Sequence, residues 1–91
     1  MSVHAEYGRS LETLIDRMRG LAPAETEAWI HALEVARVSE CADLSEAARR
    51  ALEALASIDA EPRLRGAAGL EAPRESLKAH CRAILGESPA A

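Results

Sequence analysis

The chain has no phenylalanine, one tryptophan, one tyrosine and two cysteines in 91 residues. Few aromatics leave little large apolar volume for a core. Twenty residues are alanine, which forms helix readily but buries little area. Two outcomes follow from that. Either the helices pack closely through Ala faces, or the core is completed by self-association or by a partner. There is also no run of about 18 apolar residues, which excludes a membrane span. The opening segment MSVHAEYGRS lacks a basic region followed by an apolar run, so it does not read as a signal peptide. The expected location is cytoplasmic. Cys41 and Cys81 stand 40 residues apart without metal-type spacing, and in a reducing compartment they read as buried thiols.

No basic block is present. Eleven basic and fifteen acidic residues give a net charge of −4. Residues 1–22 carry three of each sign and residues 59–91 five of each. The excess lies in residues 23–58, where seven acids face three arginines. That balance argues against nucleic acid, whose binding relies on neutralising phosphates, and against anionic membranes.

What is present is helical periodicity. At about 100° per residue, Leu44, Ala47, Ala48, Ala51, Leu55 and Ile58 share a face. Glu46, Arg49, Arg50, Glu53 and Ser57 oppose it. Asp43 and Glu46 supply a D-x-x-E start, in which Asp43 accepts a first-turn N–H. Tyr7, Leu11, Leu14, Ile15, Met18 and Leu21 share the face of a first helix that starts at Val3 or at Ser10. Gly8 is the weak point of the longer version. Pro23 suits the first turn of a second helix, expected to run to Glu40 or Cys41. This helix is apolar on two sides: Trp29, Ala32, Leu33 and Ala36 form one stripe, while Ile30, Val38 and Cys41 lie off it. Such a helix is either central in a bundle or carries an oligomeric face.

Pro62, Gly66 and Gly69 break the pattern between Asp59 and Ala72. A helical turn near Arg63 to Ala68 is expected there, with Leu64 and Leu70 tucked in. Pro73 opens a last helix to Leu85, with Leu77, His80, Cys81 and Ile84 on its apolar face. The expected fold is an all-α bundle of about four helices in one domain, residues 1–86, possessing a frayed tail at 87–91.

Chemistry-bearing patterns are few. Glu27, His31 and Glu34 are spaced i, i+4, i+7 and share a helix face. Such a row is the one candidate for a divalent transition metal, although ligands from other helices would be needed. The competing reading is a solvated face with i,i+4 interactions. His80 and Cys81 are adjacent, but consecutive helical residues point about 100° apart. A thiol nucleophile with a histidine base is therefore poorly served. No phosphate-binding glycine loop, G-x-S-x-G or C-x-x-C occurs. Catalysis and cofactors are not expected.

Two short resemblances are visible. RLRGAAG resembles the segment after the active histidine of histidine-phosphotransfer domains over about six residues. Pro62 stands at the histidine position, so the likeness implies neither that activity nor that topology. Residues Ala36 to Leu52 resemble a helix-turn-helix, which implies Arg49 and Arg50 near DNA. The acidic preceding segment works against it.

The function expected from the sequence is non-catalytic protein binding, with a homodimer as the favoured assembly. Ile30, Val38, Arg63, Leu64, Arg65 and Leu70 are the expected contact residues. For the loop, arginine and leucine on a rigid scaffold suit a contact. The alternative there is that Leu64 and Leu70 only plug the bundle. The rival functional classes are a DNA-binding regulator and a metal- or thiol-dependent accessory protein.

Overall fold

The computed structural model describes residues 3–21, 23–67 and 69–86. The expected tail at 87–91 lies outside the described residues. Among the described residues there are five helices: α1 Val3–Arg19, α2 Pro23–Glu34, α3 Leu44–Asp59, α4 Pro62–Arg65 and α5 Glu71–Ile84. A single 3-10 turn, Val38–Glu40, links α2 to α3. No strand occurs among the described residues. The fold is the all-α bundle that the periodicity predicts, with four main helices and the one-turn α4.

The longer version of the first helix is the one adopted. α1 runs through Gly8, and its face of Tyr7, Leu11, Leu14, Ile15 and Met18 is buried. Tertiary burial on both sides of Gly8 outweighs the roughly 1 kcal/mol of lost propensity. α3 follows its predicted phase. Ala47, Ala48, Ala51, Ala54, Leu55 and Ile58 are buried, and Arg49, Glu53 and Ser57 face solvent. Its cap is the one expected: Glu46 N donates to Asp43 Oδ1 at 2.8 Å.

α2 is shorter than its sequence suggests. It stops at Glu34 rather than at Glu40 or Cys41. No Gly or Pro interrupts that stretch, so the stop is tertiary. The carbonyls released by unwinding are taken by side chains from elsewhere. Tyr7 Oη donates to Ala36 O at 2.7 Å. Arg50 Nη1 donates to Val35 O at 3.0 Å and lies 3.3 Å from Glu40 O. Cys41 Sγ also donates to Val35 O, at 3.4 Å. Buried carbonyls need partners, and these bonds make a non-helical path as well satisfied as a helical one.

α5 begins at Glu71, two residues before the predicted Pro73 start. Pro73 falls within the first turn, where its missing N–H is no loss. Between α3 and α5, Glu61 caps α4 by accepting from Arg63 N at 3.3 Å. Leu64 and Leu70 are both buried in the core. Gly69 adopts φ 84°, a left-handed conformation that glycine takes without strain.

The packing order is a ring. α1 packs on α2 and α5, and α3 packs on α2, α4 and α5. α2 is therefore not the central helix, contrary to the first of its two expected roles. It buries Leu33 and Thr26 between α1 and α3, and it leaves Trp29, Ile30 and Ala32 half-buried. The core is nevertheless closed. The accessible surface is 5254 Å², against about 5,100 Å² for a self-contained monomer of this mass. Tyr7, Met18, Ile15, Ile58 and a set of leucines supply the volume that the alanines lack. Completion of the core by a second chain is not required.

Candidate functional site

α1 and α2 enclose a groove of about 450 Å³ lined by Arg19, Glu27, Ile30, His31 and Glu34. The i, i+4, i+7 spacing places Glu27, His31 and Glu34 along one edge of α2, and Ile30 sits beside them as the apolar element. Arg19 enters from the last turn of α1. Its Nη2 donates to Glu34 Oε2 at 2.8 Å. Glu27 and His31 are exposed, while Ile30 and Glu34 are half-buried. The groove thus combines two carboxylates, one guanidinium and one imidazole around an isoleucine. Such a pair at the surface contributes little to stability. Its effect is to fix Glu34 and Arg19 at the groove wall.

Among the described residues, no group of three His, Cys, Asp or Glu side chains could hold a metal ion. Glu27, His31 and Glu34 share a face, and Glu34 pairs with Arg19. The spacing produced a groove edge.

The other expected contact residues scatter. Val38 lies in the 3-10 turn, half-buried against the core, and does not line the groove with Ile30. Leu64 and Leu70 are 4% and 1% exposed, so they plug the bundle and offer no contact surface. The turn of α4 directs Leu64 inward, as the burial preference of leucine favours. Arg63 and Arg65 remain exposed on that loop. Arg63 Nε donates to Glu61 Oε1 at 3.0 Å. The loop surface is therefore polar, without the apolar element expected of it. Arg19 is the groove residue that sequence reasoning missed. It sits on the polar side of α1, and only the packing of α1 on α2 reveals its role.

The helix-turn-helix reading meets a similar obstacle. Residues Val38–Glu40 form only a 3-10 turn before α3. Arg50 is engaged by Glu46 at 2.9 Å and by two carbonyls, and Arg37 by Glu12 at 2.6 Å. Of the arginines in that segment, Arg49 alone faces solvent without an ion pair among the described residues. One arginine is a poor phosphate-binding set.

Both thiols are held protonated. Burial pushes Cys81 up to about 12. Burial also raises Cys41, with the nearby Arg50 opposing it. The thiolate is the reactive and ligating form, so neither side chain is poised for such chemistry at neutral pH. Cys81 is expected to resist an aromatic disulfide reagent until the chain unfolds, and Cys41 to react slowly. Rapid labelling of Cys81 in the native protein would contradict its burial.

No protein-family model matches the chain, and no curated protein or solved structure matches it. The chemistry of the groove is therefore what bears on function.

Proposed function

We propose that the chain is a non-catalytic protein-binding domain whose contact face is the α1–α2 groove, and that a second copy of the chain is its occupant. The observation that carries this is the composition of the groove. Its wall is self-complementary: Arg19 and His31 supply donors, Glu27 and Glu34 supply acceptors, and Ile30 supplies the apolar anchor. In a two-fold pairing the same patch faces itself, so a patch carrying both signs suits an isologous contact. α2 is also the main helix with an apolar second side left half-covered. The monomer already closes its own core, so the dimer would join folded units through a small face. Small faces give reversible association. Unpaired Cys41 and Cys81 accord with a reducing, cytoplasmic setting. No described helix is long and apolar enough to cross a membrane.

A photo-crosslinking residue at position 31 tests the assignment. The expected product is a covalent dimer joined at α2. The same group at position 53, on the solvent face of α3, should give none. Equal yields at both positions, or no dimer from position 31, would remove the groove from the contact.

A further inference from the structure

A second groove, between α1 and α5, has different chemistry. Arg9, Ser10, Thr13 and Arg17 line it from α1, and Ala72, Pro73 and Ser76 from α5. Its volume is about 330 Å³. No carboxylate lines it, although Arg9, Thr13 and Arg17 also border the adjoining surface of Glu12 and Asp16. We propose that this groove binds a small phosphate monoester.

The donors are arranged for an oxyanion. Arg9, Thr13 and Arg17 are spaced i, i+4, i+8, one turn above the next. Arg17 Nη1 donates to Gly69 O at 3.0 Å, which fixes the guanidinium at one end of the groove. A guanidinium carries five N–H donors in a planar fork. That single bond leaves a side of Arg17 for a ligand. Ser10 Oγ and Ser76 Oγ lie 3.3 Å apart across the two helices. Each hydroxyl has one proton, so whichever serine donates to the other, the second keeps a proton for an acceptor. Thr13 Oγ1 donates to Arg9 O at 2.8 Å and serves as wall.

Two further features fit the ester. The Ala72 N–H belongs to the first turn of α5, the positive end of a 14-residue helix that also carries Glu71. Leu70, the residue before that turn, provides no side-chain cap. The methyl of Ala72 and the ring of Pro73 also present an apolar wall to the organic part of the ester. Two arginines with a serine proton favour a tetrahedral dianion, whose three oxygens accept several charge-assisted bonds at once.

The test is a titration of the isotopically labelled full chain with phenyl phosphate at constant ionic strength, followed by amide chemical shifts. Saturable shifts are expected at Arg9 to Arg17 and at Ala72. Ser76→Asp places a carboxylate in the groove without touching the Arg17–Gly69 bond, and it should weaken binding by about tenfold or more. Arg9→Gln should do the same, with the fold retained by circular dichroism. Phenol, which lacks the phosphate, should give no saturable shift. Shifts that fail to saturate, that persist in both variants, or that phenol reproduces would overturn the proposal. Sedimentation with phosphatidic acid vesicles in preference to phenyl phosphate binding would overturn its assignment to a small soluble ester.

Discussion

Tyr7→Ala is expected to destabilise the fold by about 3–5 kcal/mol, the range for losing a large buried aromatic. Tyr7 is 0% exposed. Its ring fills the N-terminal part of the buried α1 face, and its hydroxyl joins three parts of the chain. Oη donates to Ala36 O at 2.7 Å, with Ala47 O at 3.0 Å sharing the same proton. The substitution therefore removes a core filler and uncaps the segment where α2 stops. Tyr7→Phe separates these effects. It keeps the ring and leaves the Ala36 carbonyl without its donor, which costs about 1–3 kcal/mol. Urea melts of the two variants give the division. An equal loss in both would mean that the hydroxyl, and not the ring, carries the stability.

The same residue gives a pH signature. Burial, with Cys81 and Cys41 adding, raises the Tyr7 hydroxyl well above its usual 10.0. The folded state thus holds its proton more tightly than the unfolded state. Stability from this group is fully present below pH 10.0 and falls as the pH rises beyond it. Because Tyr7 is the one tyrosine, its ultraviolet titration is expected to coincide with loss of helix. Ionisation within an intact fold would contradict the burial.

Asp59→Asn should cost about 3 kcal/mol. Arg74 is 5% exposed, and its guanidinium is paired with Asp59 and donates to Arg65 O at 3.3 Å. Lys78 holds the other carboxylate oxygen of Asp59. The Arg74 Nε is already buried without a partner in the structure. Asparagine keeps an amide oxygen as acceptor but removes the negative charge, which leaves the buried Arg74 cation without its counter-ion. Breaking a buried pair costs about 3–5 kcal/mol, and Asp59, with its side chain 30% exposed, belongs at the lower end. Arg74→Met in the Asp59→Asn background should recover part of the loss, since it removes the stranded charge. An additive double variant would show that the two residues act independently.

Acid should act on the same contact. Burial alone would raise Asp59, but the bonds from Lys78 and Arg74 together hold its carboxyl below the usual 3.8. The folded state therefore binds this proton less readily. The contribution is present above pH 3.8 and disappears as the pH falls through the lower folded value. Asp59→Asn should flatten the acid limb of the stability curve.

The elements most legible in the sequence are those whose signals are local. The face of α3 needs only the repeat of Ala47, Ala51, Leu55 and Ile58, and its start needs only Asp43. The end of α2 was not legible. It depends on Tyr7 and Arg50, which reach the Val35 and Ala36 carbonyls from 15 or more residues away. The start of α5 shifted by two residues because proline is tolerated throughout a first turn, which makes it a loose marker. The Glu27, His31 and Glu34 face was visible as a row, and Ile30 as an apolar residue off the main stripe. What their shared groove could do depended on Arg19, and that residue arrives only through packing. Leu64 and Leu70 settle between the two readings of their loop. The burial expected of leucine prevails over the contact reading, with Leu64 turned inward by α4 and Leu70 buried just before α5.

Sedimentation equilibrium of the intact chain and of Ile30→Glu tests the central claim most directly. Ile30 anchors the α1–α2 groove, and it is half-buried, so a carboxylate there burdens a contact more than it burdens the fold. The wild-type chain is expected to associate reversibly to a dimer as its concentration rises through the micromolar range, and Ile30→Glu to remain at the 9.7 kDa of one chain. A wild-type chain that stays monomeric at high concentration, or a variant that dimerises equally well, would contradict a second copy in that groove.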